Sequence, residues 1–527
     1  MKTNEKNINT APQWLIPALL LFALLVILRL PTLFQPVIDV DEAIYGLFAR
    51  IWFDGGIPYV DCVETKPLGI YFFYGIIFKL FGRFNMIAVH AVTIAVVGIT
   101  SYILYLIAKS LYSSHAGFWA ALLYIIFGTT YIPKVIATTI EPIMLLFVVL
   151  QFYLWLLYER SGKRIIALSS GIAFSSACLF KYQALMNIII LAAYLGLVRP
   201  LILKKTNYFI NWKGIWHFLL GALPLPIIMI IYLFLKGAFG GFWFWNVLGN
   251  VEYISGGMRT LNLAHQLLAR VLPYIASTAL IWVLSAIRIS KMAYATGTGR
   301  TDAQISVQEW LIVLWFLMSL VPVSAGLRFY GHYFLLILPP MAILSSRVAD
   351  HVWQNGRRHF ARWLIIFSII LPAIGFTTAR YFTYQINKAV GEDNLDDYRP
   401  LATYVSEHTL PSDRIVAWGY APLVYWYSQR LPGIRFFWSD VLTGRIPGSK
   451  ETSRRDNEKF IMPEAWEMFL TDIDRHKPTY IIDTTPANLH DYENYPIQRY
   501  PILMDYVKSY YREETRINSA IFYRRTD

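Results

Sequence analysis

Eleven stretches of this chain run for close to twenty residues with almost no charge, at roughly 14–33, 84–108, 115–133, 140–158, 165–181, 182–198, 214–235, 267–288, 309–325, 330–347 and 362–379. About 20 apolar residues in a helix cross a hydrocarbon core about 30 Å thick. Within that core a backbone must satisfy its own hydrogen bonds, which leaves helices or closed barrels, and unbroken apolar runs of this length select helices. Composition agrees. The chain is 56% hydrophobic and only 15% charged, with a mean hydropathy of +0.43, where an ordinary soluble domain is about 25% charged. Two pairs of runs, 165–198 and 309–347, are split mainly by a polar pivot, so the expectation is a polytopic α-helical protein of about 11–13 spans. The first run is too long for the core of a cleavable signal and lacks a small-residue cleavage site, so it is read as a span.

The distribution of Lys and Arg sets the orientation. Lys2, Lys6, Lys109, "ERSGKR" (159–164), "RPLILKKTNYFINWK" (199–213), "RISKMAYATGTGR" (288–300) and "SSRVADHVWQNGRRHFAR" (345–362) alternate with the runs so that nearly all fall on one side. That side is read as cytoplasmic, with the N-terminus on it. The net charge of +13 then belongs to cytoplasmic loops and not to a nucleic-acid surface. The expected location is the cytoplasmic membrane, multi-pass. The division is a membrane domain over 1–379, with a first external loop at 34–83, and an external, periplasmic-side soluble domain over 380–527. The latter loses the long apolar runs. Short β-rich runs ("RIVAW" 414–418, "TYIID" 479–483, "AIFYRR" 520–525) alternate there with helical patterns such as "PEAWEMFLTDIDRH" (463–476), which reads as α/β. A second outside connection, 236–266, is rich in Gly and aromatics, and "GFWFWN" suits a membrane interface. Cys62 and Cys178 are read as free thiols.

The densest acid cluster lies where the first run ends. "IDVDEAIYG" (38–46) holds Asp39, Asp41 and Glu42. Apolar residues Ile44, Leu47, Phe48, Ile51 and Trp52 follow at helical spacing, so the acids occupy the N-cap and first turn of an amphipathic helix lying along the membrane surface. "GG" (55–56) ends it. "ETKPLGIYFFYGIIFKLFG" (64–82) opens a second juxtamembrane helix, with Glu64 and Lys66 at its start and Pro67 suited to a first turn. Capping and solubility account for one acid. Three acids, followed by Glu64 and Lys66 on the same side, exceed what one cap needs.

The stretch "DVDEAIYGLFARIWFDGGIPYVDCVETKPLGIYFFYGIIFKLFG" resembles the first external loop of GT-C glycosyltransferases, in the branch of protein O-mannosyltransferases and lipid A aminoarabinose transferases. Those families carry an Asp-Glu pair after the first span, a Lys-Pro-Pro-like or His-Pro-Pro-like start to a second juxtamembrane helix, and a Phe-Gly end. Here the second proline is replaced ("KPLG"), and Ile44 stands where the aminoarabinose branch has Arg. The resemblance implies a GT-C fold and a polyprenyl-phosphate sugar donor. It implies a glycosyl acceptor that is a protein, lipid A or another glycan, with membrane lipid as the further partner. It makes Asp41 the general base of an inverting, single-displacement transfer. Glu42 joins the candidate catalytic acids, with capping and orienting its neighbours as the alternative. Glu64 is a candidate for an acceptor or a divalent metal. No metal is committed to, and no other cofactor is implied. Glu141, in "ATTIEPIMLLF", stands where the family has an Asp at the head of a span.

A leaving phosphate needs cations at the outer surface. Lys181 in "LFKYQAL" and the pattern Arg328, His332, Tyr333 in "GLRFYGHYFLLILPP" occupy two outside pivots, and Lys66 adds a further contact. The last pattern resembles the family's basic-aromatic approach to a Leu/Pro-rich helix. Snorkelling is the alternative for Lys181 and Arg328, and the expected fate of Arg29. "GFWFWN" and "AWGYAPLVYWYSQ" (417–429) offer sugar-stacking aromatics, against interface anchoring and domain core. No phosphate-cradling glycine loop, HExxH or CxxC pattern is present, which argues against a nucleotide-sugar donor. Two rival classes remain: a lipid-linked glycan ligase or polymerase, which depends on a large Arg-rich late loop where this chain has only 324–330, and a flippase or transporter, which would carry polar residues at mid-span.

Overall fold

A computed structural model describes residues 15–131, 133–203, 212–298, 306–355, 359–390, 395–445, 461–462 and 464–527. Among these, seven helices are long and apolar enough to cross a membrane, and the pair Leu263–Ser277 and Ala279–Gly297, bent by 78°, makes an eighth. The shorter helices Ser114–Phe127, Arg164–Phe180 and Leu338–Gln354 complete the set, so each of the eleven apolar runs contains a helix. The protein is a multi-pass membrane protein.

Ser114–Phe127 has 14 residues, about 21 Å at about 1.5 Å per residue, too short to cross alone. Past Gly128 the α-helix stops, and Thr129, Thr130 and Val135–Ile140 are buried around a short 3₁₀ turn at Pro133–Ile136. Non-helical backbone at this depth persists only inside protein with its polar groups satisfied. Thr129 and Thr130 donate to carbonyls of the preceding turn. Arg29, expected to snorkel, is instead 2% exposed and donates to the Ile136 carbonyl at 2.6 Å. An unpaired carbonyl in this irregular segment is a better partner than distant water.

Both juxtamembrane helices form, over Val40–Phe53 and Gly69–Phe81. The first does not lie open along a surface. Residues from Glu42 to Ala49 are buried without a break, because the C-terminal domain covers the side away from the spans. Trp426, on the helix Pro422–Ser428, packs so closely on Gly46 that a Cβ there would lie 2.4 Å from the indole. The Val63 amide donates to the Arg435 carbonyl at 3.1 Å. The connection expected as a loop at 236–266 is largely helical from Phe239 to Thr260. Its glycines allow close approach: a Cβ at Gly241 would meet the Tyr59 carbonyl at 2.4 Å, and one at Gly257 the Gly326 carbonyl at 2.2 Å.

The C-terminal part holds a five-stranded sheet: β1 (Arg414–Trp418), β2 (Leu431–Pro432), β3 (Tyr480–Asp483), β4 (Tyr511–Ile517) and β5 (Ala520–Arg525). The order is β2-β1-β3-β5-β4. β2, β1 and β3 run parallel, while β5 and β4 are antiparallel. β3 is buried throughout and β1 all but its first residue, as expected of parallel strands covered on both faces. β4, "YREETRI", is an exposed edge strand whose charges discourage further pairing. Asn518 and Ser519, both at positive φ, make the two-residue turn into β5. The Met86–Leu111, Ile140–Ser161, Arg164–Phe180 and Val307–Ser324 helices each bring one end towards this domain, near Phe84, Glu141, Lys181 and Arg328, which touch its residues or share a cavity with them. At their other ends lie buried polar ties such as Arg288–Glu309 at 2.6 Å, joined by the Tyr112 hydroxyl at 3.0 Å.

Candidate functional site

The three acids that follow the first span take three different positions. Asp39 is the N-cap and accepts from the Asp41 amide at 3.0 Å; Glu42 closes the capping box. Glu42 is wholly buried. Its Oε2 accepts from the amides of Ile38 (2.7 Å) and Asp39 (3.4 Å), and its Oε1 faces His90 Nε2 (2.9 Å) and accepts from the Thr138 amide (2.5 Å). Burial opposes ionisation of Glu42, but His90 and the Ile38 and Thr138 amides outweigh it and hold the carboxyl below its ordinary range. Glu42 thus ties the head of the first juxtamembrane helix to the Met86–Leu111 helix and to the irregular 129–139 segment. Asp41, half-buried, lines a cavity instead.

That cavity has a volume of about 540 Å³. Asp41, Glu64, Lys66, Glu141, Lys181, Arg328, His332 and Tyr333 all line it; Glu42 does not. Residues separated by nearly three hundred positions therefore share one wall. Glu141, 1% exposed, heads its helix and receives Lys181 Nζ at 2.6 Å, with His332 Nε2 at 3.9 Å from the same oxygen. Lys181 also lies 4.2 Å over the Tyr333 ring. Arg328 sits in a pivot turned sharply by positive φ at Gly326, Leu327 and Phe329. Such strain concentrates at functional sites. Arg270 holds the pivot by donating to the Arg328 carbonyl at 2.9 Å.

Glu64 accepts from the Lys66 amide (2.8 Å) and the Tyr71 hydroxyl (2.9 Å) on Oε2, and from Lys66 Nζ (3.3 Å) on Oε1. Among the described residues no three His, Cys, Asp or Glu side chains converge as metal ligands. Glu64 is engaged by a lysine and a tyrosine.

The upper wall comes from Trp438, Asp440, Arg445 and His490 of the C-terminal domain, which the sequence did not single out, together with Tyr420 and Trp245 from the two aromatic runs that it did. Asp440 accepts from the Tyr492 hydroxyl at 2.7 Å and Arg445 Nη1 at 3.3 Å. Burial pushes its carboxyl above the ordinary value, against Arg445 and Tyr492. Burial, with Asp41 and Asp440 nearby, pushes the Tyr420 phenol far up, so it stays a neutral hydroxyl. "WGYAP" and "GFWFWN" were the visible signals. Nothing in "WSDVLTGR" marks Asp440, because its place depends on a tertiary fold.

This arrangement of spans, juxtamembrane helices and covering domain has a match over its whole length. The crystal structure of ArnT from Cupriavidus metallidurans bound to undecaprenyl phosphate superposes with a TM-score of 0.62 at 12% identity, covering 98% of this chain and 98% of that one. The chain has the GT-C glycosyltransferase fold. The same GT-C fold relates it to the Archaeoglobus fulgidus oligosaccharyltransferase in complex with Zn and sulfate (TM-score 0.56, 14% identity, 97% of this chain and 73% of that one). It also relates it to AglB of Archaeoglobus fulgidus in complex with an inhibitory peptide and a dolichol-phosphate (TM-score 0.52, 13% identity, 98% and 74%). The sequence profile of dolichyl-phosphate-mannose-protein mannosyltransferases matches residues 65–236. Curated protein sequences give no match.

Proposed function

We propose that the chain transfers a glycosyl group from a polyprenyl-phosphate sugar to an acceptor hydroxyl at the outer face of the cytoplasmic membrane. The observation that carries this reading is the convergence of Asp41, Glu141, Lys181, Arg328 and His332 around one cavity between the spans and the C-terminal domain. A phosphate anchored in lipid needs cations at that depth, and a transfer to a hydroxyl needs a carboxylate beside them. The undecaprenyl phosphate and dolichol-phosphate bound by the structural neighbours support the same donor class.

In this mechanism the acceptor O–H gives its proton to Asp41 as its oxygen bonds to the anomeric carbon. The bond from that carbon to the phosphate oxygen breaks, and polyprenyl phosphate leaves with the electron pair. The configuration inverts in one displacement. Arg328 and His332 hold the growing phosphate charge. Lys181 is shared with Glu141, so it contributes less than a free lysine, and Glu141 serves to orient it. Lys66 is likewise shared with Glu64. The test is transfer in purified membranes from a labelled polyprenyl-phosphate hexose to a mixed acceptor pool. General-base catalysis is worth about 10²–10⁴-fold, so Asp41→Asn should lose at least about 100-fold while still binding donor. Equal transfer by both proteins would remove Asp41 from the role.

A further inference from the structure

Two tyrosines that line the cavity, Tyr45 and Tyr420, have no part in the mechanism above. Tyr45 follows Asp41 by one turn of the first juxtamembrane helix, so the two side chains share a face. Its ring is held edge-on by Tyr71 and Tyr74, with centroids 5.9 and 6.1 Å away, and the residue is 4% exposed. Tyr420 comes from the C-terminal domain, where its ring lies flat on His490 at 4.3 Å. Neither hydroxyl is sealed inside protein, and neither hydrogen-bonds to a described residue.

A tyrosine packed this tightly ordinarily finds a partner for its O–H. Here neighbours fix both rings, while the hydroxyls are left to whatever fills the cavity. The charges around them narrow what that is. After burial, Asp41 acts most strongly on each phenol; Glu64 and Glu141 follow for Tyr45, and Asp440 and Asp39 for Tyr420. These are all carboxylates. They hold both phenols neutral, so each keeps a proton to donate and lone pairs to accept. A phosphate set against the same carboxylates would be repelled. A neutral polyol would not, and its hydroxyls both give to and take from a phenol. In the displacement proposed above, the anomeric carbon has to come close to Asp41, and that carbon brings the rest of its sugar ring with it.

We infer that Tyr45 and Tyr420 form a subsite for the donor's glycosyl group, each hydroxyl hydrogen-bonding an oxygen of the sugar beside Asp41. This rests on the donor reading above and deepens it. Asp41 takes the acceptor proton, and the two phenols fix the ring whose anomeric carbon is attacked. One phenol stands on the first juxtamembrane helix and the other on the C-terminal domain, so the subsite bridges the two parts of the chain.

The test measures lipid binding by the full chain in nanodiscs, without acceptor. The probes are a short polyprenyl phosphate and the same phosphate esterified to each of several hexoses and pentoses. The wild type is expected to bind at least one glycosylated lipid more tightly than the bare one. A hydrogen bond between neutral groups is worth roughly 2- to 10-fold in affinity. Tyr45→Phe and Tyr420→Phe keep the rings and remove only the hydroxyls. Each should weaken the preferred glycosylated lipid by that factor and leave the bare lipid unchanged, which also reports an intact fold. The double variant should lose more than either single one. No loss in either variant, a loss in only one, equal losses on both lipids, or a wild type that gains nothing from any sugar would each overturn the inference. A wild type that binds no lipid phosphate at all would overturn the donor reading beneath it.

Discussion

The buried carboxylate of Glu42 gives the sharpest test of how the site is held. Four contacts reach its two oxygens: the Ile38 and Asp39 amides donate to one, and the Thr138 amide donates to the other, which also faces His90 Nε2. Glu42→Gln keeps the shape but replaces one oxygen with an amide NH₂, which turns two of the four contacts into donor against donor. Each hydrogen bond to a charged acceptor is worth about 1.5–3 kcal/mol, so two lost bonds give about 3–6 kcal/mol. Breaking a buried pair by removing one partner gives about 3–5 kcal/mol independently. At about 2 °C per kcal/mol, the low end for large cooperative units, the melting temperature should fall by about 6–10 °C. The assay is intrinsic-fluorescence melting of purified protein, with His90→Ala measured in both backgrounds. His90→Ala should cost less once Glu42 is Gln, because contacting residues are not additive. A melting temperature within about 1 °C of wild type, or full additivity with His90→Ala, would refute the account. Asp41→Asn is the contrast: it should leave melting nearly unchanged and abolish transfer.

Acid should act through the same residue. The Glu42 carboxyl is held below its ordinary value of 4.5, so its contribution is complete above that pH and is lost as pH falls through the folded-state value; the acid limb of melting temperature against pH should be shallower in Glu42→Gln. Lys181→Met strands the buried Glu141 that it meets at 2.6 Å, which should destabilise by about 3–5 kcal/mol; adding Glu141→Gln should restore melting but not transfer. Gly46→Ala forces a methyl to within 2.4 Å of the Trp426 indole and should loosen the C-terminal domain, read as faster limited proteolysis after the membrane part; Trp426→Leu in the same chain should slow it again.

The spans were legible because lipid leaves a helix no alternative, and the eleven apolar runs each contain one. "RIVAW", "TYIID" and "AIFYRR" were legible as strands because they are β-branched and buried. β4 was not, because an exposed edge strand written "YREETRI" carries no apolar alternation. The 239–260 helix was hidden by its glycines, which read as loop until their close contacts with Tyr59 and Gly326 are seen. At the site, the residues that the family pattern marks in the membrane part and first loop line one cavity, apart from Glu42. The acid count said that three carboxylates exceed one cap, but not which one would be enclosed: that depended on His90 and Thr138, 48 and 96 residues away. Asp440 and its neighbours stayed invisible for the same reason. Their placement comes from how a separate domain docks on the first juxtamembrane helix.

The cavity draws its walls from residue 39 through residue 491, and this has a consequence for how the protein is made. During synthesis, spans enter the bilayer one after another while the far wall is still in the ribosome. The cations that would attract a lipid phosphate are in place before Trp438 and Asp440 exist. A nascent chain therefore has one side of the cavity before it has the other. The cavity is complete only when the final hundred residues have folded and settled over Gly46. On the proposed function, a chain stalled or clipped short of that point would carry the phosphate-side cations and Asp41 without the wall opposite them.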